Sequence, residues 1–212
     1  MHVLLVLAHP EPASFNGRLA RLAEEVLTAA GHTVEVSDLY RQGFAAVSGP
    51  ADFSPPAAAD FFDLQAQQRA AAVNDTFAAD VQAEMEKLRR CDLLLLQFPL
   101  WWHSVPAILK GWIDRVLAVG FAYGGTKALA GKKALLSLTS GTPNHLWDGS
   151  TLPTLESTLN HILRGTLAYC GMQVYAPFMI GSAKHLNPDE RTEAEADFIR
   201  MLEALNQRPV LV

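Results

Sequence analysis

Short apolar runs alternate with longer amphipathic stretches along the whole chain. The runs have the length and composition of buried strands, at residues 3–8, 33–39, 93–98, 134–139 and 172–180. Between them, apolar side chains recur with helical spacing, at residues 16–31, 80–90, 106–117, 155–167 and 188–205. The run at 33–39 alternates with polar residues, which predicts an edge strand. This order predicts an α/β fold with a doubly wound, five-stranded parallel sheet and right-handed crossovers.

The third run is followed by a loop that is rich in aromatic residues. Four consecutive leucines at 93–96 predict a strand buried on both faces, and Pro99 predicts its end. Trp101, Trp102 and His103 then lie on a loop before Pro106, where a helix can begin. Two adjacent tryptophans cannot both point into one core from a strand, and on a loop at least one ring needs another flat partner. We therefore expect a planar ligand here, with core packing as the alternative.

The loops after the first and fourth runs are further candidates for ligand contacts. His9 ends the first run, and Asn16 is predicted to cap the next helix. The first N–H groups of that helix, together with the Ser14 hydroxyl, suit a phosphate. A capped helix with an exposed serine is the alternative, since neither GxGxxG nor GxxxxGK[ST] is present. Gly141, after the fourth run, allows a ligand close to the backbone or simply forms a turn. All three loops are expected at one edge of the sheet.

Length, composition and charge narrow the class of protein. The 212 residues predict a single domain over 1–212, with an irregular insertion at about 41–75 where prolines interrupt the periodicity. Hydrophobic residues make up 50% and charged residues 18%, as in a globular enzyme. A net charge of -5 without a basic cluster argues against nucleic-acid binding.

The first run is too short to span a membrane. Cys91 and Cys170 predict buried free thiols in a reducing cytoplasm, and no histidine pair has the spacing of a metal site.

Several motifs resemble one known family. The segments 97–100, 105–112 and 121–123, read with 37–40 and the first loop, closely resemble the NAD(P)H:quinone oxidoreductase family of flavodoxin-like proteins. The resemblance runs along most of the chain and is weakest from about 41 to 75. It implies a flavodoxin-like fold of three α/β/α layers and a tightly held FAD, with FMN as the alternative. It also implies NAD(P)H as co-substrate, a quinone-like acceptor and a homodimer.

The family's cofactor contacts fall on three groups of residues in this sequence. By position, the resemblance implies that the pyrophosphate is held by His9, Ser14, Phe15 and Asn16. It implies that the isoalloxazine is lined by Pro99, Leu100, Trp101, Trp102 and His103. The pyrimidine edge would meet Thr139, Ser140, Gly141 and Thr142, and the adenine end would lie near Arg191.

One departure from the family affects the predicted catalytic residues. Where the family has a tyrosine that assists hydride transfer, this sequence has Trp147, which cannot relay a proton. No histidine stands at the position of its partner, and His161 is expected to lie on a helix. His145 and Trp147 are therefore the predicted catalytic residues, although a surface-loop histidine is the alternative for His145.

The resemblance predicts an NAD(P)H dehydrogenase (quinone) that works by two-electron, ping-pong hydride transfer. One alternative is a regulatory flavoprotein, such as an ancillary subunit of a potassium efflux system. Another is a serine hydrolase that uses Ser140, although GxSxG is absent.

Overall fold

A computed structural model describes residues 1–56 and 61–211 of the chain. The strands in that part are β1 (His2–Leu7), β2 (Thr33–Asp38), β3 (Leu93–Pro99), β4 (Lys133–Thr139), β5 (Gln173–Val174) and β6 (Phe178–Ile180). The α-helices are α1 (Phe15–Ala29), α2 (Leu64–Asn74), α3 (Ala79–Arg90), α4 (Ala107–Val116), α5 (Leu155–Thr158), α6 (Asn160–Ile162) and α7 (Pro188–Glu203). Strands and helices therefore alternate as the hydrophobic pattern predicts.

The sheet is parallel throughout, with the strand order β2-β1-β3-β4-β5, and β6 pairs with the end of β4 beyond β5. Strand β3 is buried along its whole length because both faces of the sheet are covered. Leu94 and Leu96 pack with the helix pair α3 and α4, and Leu93 and Leu95 pack with α1 and α7. The predicted doubly wound, three-layer α/β fold is confirmed, and β2 is an edge strand.

Two predicted elements are broken into shorter pieces. The fifth apolar run forms β5 and β6, which both pair with β4 and are separated by Tyr175–Pro177. A proline has no N–H to donate to a ladder, so Pro177 interrupts the strand. The predicted helix at 155–167 forms α5, α6 and a π-helical segment, Leu163–Ala168.

The predicted cap of the first helix is wrong by two residues. Ser14 is the N-cap of α1, and its hydroxyl accepts the N–H of Gly17. Asn16 lies inside the first turn and is buried. Both residue types favour caps, so the sequence alone could not choose between them.

The predicted insertion is anchored to the domain by a buried ion pair. Helix α2 lies in this segment, and residues 57–60 of the Ala-rich stretch lie outside the described part. Arg115 on α4 donates to Asp52 at 2.7 Å, and both side chains are almost fully buried. Arg115 also contacts Asp80 and the carbonyl of Ala45. The desolvated charges are thus paired, as buried ions must be.

Both cysteines are buried free thiols, as predicted. Burial raises the pKa of Cys91 and of Cys170 to about 11, because the thiolate is the form that loses hydration. None of the described helices has the length and hydropathy needed to cross a membrane.

Candidate functional site

The start of α1 and the ends of β3 and β4 are joined by a buried polar network. Gln97 on β3 donates its side-chain amide to Asn16 Oδ1 at 2.8 Å, and Asn16 Nδ2 donates to Thr139 Oγ1 on β4 at 2.7 Å. All three side chains are nearly inaccessible to solvent. The network fixes the start of α1 against the two central strands. The side chains of Asn16 and Thr139 are therefore engaged with each other, and the Thr139 carbonyl accepts the N–H of Leu100 at 2.8 Å, so these two side chains support the site.

A tight turn follows β3 and presents the aromatic residues. The N–H of Trp101 donates to the carbonyl of Ser104 at 3.1 Å, and the N–H of Ser104 donates to the carbonyl of Trp101 at 3.0 Å. Trp102 and His103 between them have φ angles of 49° and 59°. Bulky residues in this left-handed region are rare and cost roughly 1–3 kcal/mol each. Such strain concentrates at functional sites, and here it turns the Trp102 ring into solvent, with 97% of the residue exposed.

Aromatic contacts link this turn to the loops after β1 and β4. The Trp101 ring lies 6.2 Å from that of His9, and the His103 ring lies 5.4 Å from that of Trp147. The indole Nε1 of Trp147 is buried and has no hydrogen-bond partner among the described residues. A buried donor without an acceptor is costly, so its position indicates that the site is completed by a group with an acceptor atom.

A second histidine reaches the turn from α6. Ser104 Oγ lies 3.0 Å from His161 Nε2, across 57 positions of sequence. The sequence correctly places His161 on a helix, but it gave no indication that this residue meets the aromatic turn. The two residues come together only through the tertiary fold, so no local signal could have found the contact.

The loop after β1 supplies the start of α1 and an imidazole. The first N–H groups of a helix have no intrahelical partners. Gly17 donates its N–H to the Ser14 hydroxyl, so the N–H groups of Phe15 and Asn16 are the ones available to an anion. Burial lowers the pKa of His9, which keeps the imidazole neutral near pH 7. Its Nδ1 accepts the N–H of Glu11 at 3.0 Å. Arg191 on α7 places its guanidinium 5.2 Å from the centre of the Phe15 ring, so a cation and an aromatic face lie beside the helix start.

The loop after β4 is short and closed on itself. Ser140 Oγ accepts the N–H of Thr142 at 2.9 Å and lies 3.0 Å from its carbonyl. A Cβ added to Gly141 would meet no atom within 4 Å, so the space beside this glycine is open. No histidine contacts the Ser140 hydroxyl within the described residues, so the geometry does not support a serine nucleophile.

The predicted site residues converge with one notable exception. Loops carrying His9 to Asn16, Pro99 to His103 and Thr139 to Thr142 all lie at the carboxyl edge of the sheet. His145 lies on a 3-10 turn (Asn144–Leu146) and is exposed, and it makes no contact with the Trp147 ring among the described side-chain contacts. Trp147 instead meets His103. The part of the chain that the structure describes holds no cluster of three potential metal ligands.

The family of the chain follows from comparison with known proteins. A family model described as a flavodoxin-like fold matches residues 1–205. The chain belongs to the flavodoxin-like fold family. The predicted resemblance is thereby confirmed, and the site described above lies at the edge where this family's fold binds its ligands.

Named relatives refine this assignment. The mouse (Mus musculus) ribosyldihydronicotinamide dehydrogenase [quinone] is 37% identical, over 96% of this chain and 91% of that protein. The rat (Rattus norvegicus) NAD(P)H dehydrogenase [quinone] 1 is 35% identical, over 95% of this chain and 76% of that protein. A solved structure, the NAD(P)H:quinone oxidoreductase from Methanothermobacter marburgensis, is 30% identical with a TM-score of 0.80, covering 97% of this chain and 96% of that one. These three relatives are named as quinone dehydrogenases or oxidoreductases, which confirms the prediction of an oxidoreductase.

Proposed function

We propose that this protein is a flavin-dependent NAD(P)H:quinone oxidoreductase. The observation that carries the proposal is the left-handed turn at Trp102 and His103, which holds an exposed aromatic ring at the sheet edge between two other ligand-binding loops. An exposed indole offers a flat apolar face to a planar ligand. The relatives named above are dehydrogenases that act on quinones and on nicotinamide reductants, in agreement with this reading.

The residues present fit a flavin. The start of α1 suits a phosphate, the open space at Gly141 suits the edge of a ring, and the unpartnered Trp147 Nε1 suits an acceptor atom. The pair formed by Arg191 and Phe15 suits the adenine end of FAD, which favours FAD over FMN. When bound, a flavin accepts a hydride from one substrate and passes it to the next.

The protein's own residues would bind and orient these groups. Pro99, Leu100, Trp101 and Trp102 form the apolar side of the site, and the backbone at Ser140 to Thr142 forms its polar side. The backbone N–H groups of Ser140 and Thr142 donate within the protein, so the N–H of Gly141 is the one that would stabilise negative charge at the polar edge. Reductant and acceptor would stack in turn against the same face, which is the basis of a ping-pong order. His145 and Trp147 remain the proposed catalytic residues, and the contact of Trp147 with His103 adds an imidazole beside them.

Two further features belong to the proposal. The exposed aromatic face of the site would need cover, so we propose a homodimer. The two buried free thiols are typical of a reducing compartment, so we propose a cytoplasmic location.

The first experiment is the visible absorption spectrum of the purified protein, followed by chromatography of the released cofactor. We expect FAD, and we expect steady-state oxidation of NADH or NADPH with menadione as acceptor. Trp102→Ala should weaken flavin binding, whereas Val73→Ala should not, because Val73 is an exposed residue on α2, outside the three loops of the candidate site. No flavin after reconstitution would refute the proposal. Bound flavin without turnover would favour the regulatory alternative.

A further inference from the structure

A groove beside the candidate flavin site runs along the edge strand β2 and shares the loop after β1 with that site. Its volume is about 640 Å³, within the range of small-molecule sites, and it is bounded by β2, by the loop after β1 and by one face of α1. That face carries Arg21. Arg18, three residues earlier on α1, points instead to α7, where it pairs with Glu195. The groove and the Phe15 side of the helix start therefore lie on different faces of α1.

Two arginines and a tyrosine line this groove. The guanidinium of Arg21 donates to the carbonyl of Pro12 at 2.8 Å, and neither Arg21 nor Arg41 forms a salt bridge within the described residues. Tyr40 presents a partly exposed ring beside them. The acids of the groove are Asp38 and Glu24. A mixed site of this kind, with two cations, two acids and an aromatic ring, suits a ligand that has phosphates, hydroxyls and a base.

The position of Asp38 indicates which ligand. Asp38 is the last residue of β2 and lies opposite Leu7, the last residue of β1. In dinucleotide-binding sheets, an acid at the end of the second strand accepts hydrogen bonds from the ribose hydroxyls of the adenosine half. One oxygen of the Asp38 carboxylate accepts the backbone N–H of Arg41 at 3.1 Å. This bond holds the carboxylate at the rim of the groove.

The groove and the aromatic turn meet at His9. His9 lines the groove, and its ring also lies 6.2 Å from Trp101. A ligand extending past His9 would therefore reach the face where the nicotinamide must stack if the proposed function is correct.

We infer that this groove binds the adenosine diphosphate end of the nicotinamide dinucleotide reductant, an inference that rests on the proposed function. Arg21 and Arg41 contact the phosphates, Asp38 contacts the ribose and Tyr40 packs against the adenine. The protein thereby contacts the reductant along its full length. A nicotinamide riboside has no adenylate half, so the groove does not contribute to its binding.

The test compares three reductants on the flavin-loaded protein: NADH, NADPH and N-ribosyl-1,4-dihydronicotinamide. We expect Arg41→Ala to raise KM for the dinucleotides about tenfold or more, since a hydrogen bond to a charged group is worth about 1.5–3 kcal/mol. KM for the riboside and the flavin content should stay unchanged. A larger loss for NADPH than for NADH would assign Arg41 to the 2′-phosphate, and equal losses would assign it to the diphosphate. Arg200→Ala, at an exposed arginine near the end of α7, is the control.

A binding measurement makes the test independent of turnover. Calorimetry should detect ADP-ribose binding to the protein, and Arg41→Ala or Asp38→Ala should weaken it at least fivefold. The inference would be overturned by equal changes in KM for all three reductants or by unchanged KM values for the dinucleotides. It would also be overturned if neither substitution changed the affinity for ADP-ribose. If none of the three reductants is oxidised while ADP-ribose still binds in the groove, the proposed function fails and the binding site stands.

Discussion

The backbone strain of the left-handed turn after β3 can be measured by comparing glycine and alanine at position Trp102. Trp102 is 97% exposed, so truncating its side chain removes almost no packing. Alanine at a φ of 49° keeps the strain, which for a residue with a Cβ costs about 1–2 kcal/mol. Glycine has no such cost, but it gains about 0.5–1 kcal/mol of entropy in the unfolded chain. We therefore expect Trp102→Gly to be more stable than Trp102→Ala by about 0.5–1 kcal/mol.

The assay is thermal or urea unfolding of the flavin-free protein. A difference of 1 kcal/mol corresponds to about 2–4 °C in Tm for a chain of this size. The control is Trp112, which is fully buried and donates its Nε1 to Glu84 at 2.9 Å. Trp112→Ala should cost about 3–5 kcal/mol. Flavin affinity should fall equally in both Trp102 variants, because both lose the ring.

One result would refute the reasoning directly. At a strained left-handed position glycine is the better residue, whereas at an ordinary position alanine is. If Trp102→Gly is less stable than Trp102→Ala, the turn does not hold Trp102 in the left-handed region, and strain does not set the direction of its ring.

Three further outcomes test the packing of the domain. Asp52→Asn should destabilise the fold by about 3–5 kcal/mol because it leaves the buried Arg115 charge poorly paired, whereas Asp80→Asn, at a partner that is 46% exposed, should cost under about 1 kcal/mol in the same urea titration. Gly111→Ala should lower Tm strongly or prevent folding, since the new Cβ would lie 2.0 Å from the Ala46 carbonyl oxygen. Both cysteine thiols should resist a thiol reagent at pH 8 until the protein unfolds. Their pKa is raised to about 11 from 9.0, so between about pH 9 and 11 only the thiols of the unfolded chain ionise, and the free energy of unfolding should fall over that range.

Local pattern was sufficient for the framework of the fold. Strands β1, β3 and β4 are short apolar runs that end at Leu7, Pro99 and Thr139, and each is followed by a loop of distinctive residues. Because the carboxyl ends of parallel strands meet at one edge, their convergence could be predicted from the order of elements alone. The motif resemblance added the cofactor class, and the comparisons confirm the family.

Tertiary structure decided which side chains face the site and which support it. Asn16 carries a side chain suited to a cap or to a ligand, but the register of β3 and β4 places Gln97 and Thr139 against it and buries it in their network. The contact of Ser104 with His161 and the left-handed φ angles of the aromatic turn are likewise absent from any local pattern. Hydrophobic periodicity is a property of neighbouring residues, whereas hydrogen bonds across the sheet edge depend on how distant strands and helices align. The sequence therefore determined the architecture and the place of the site, and packing alone determined its geometry.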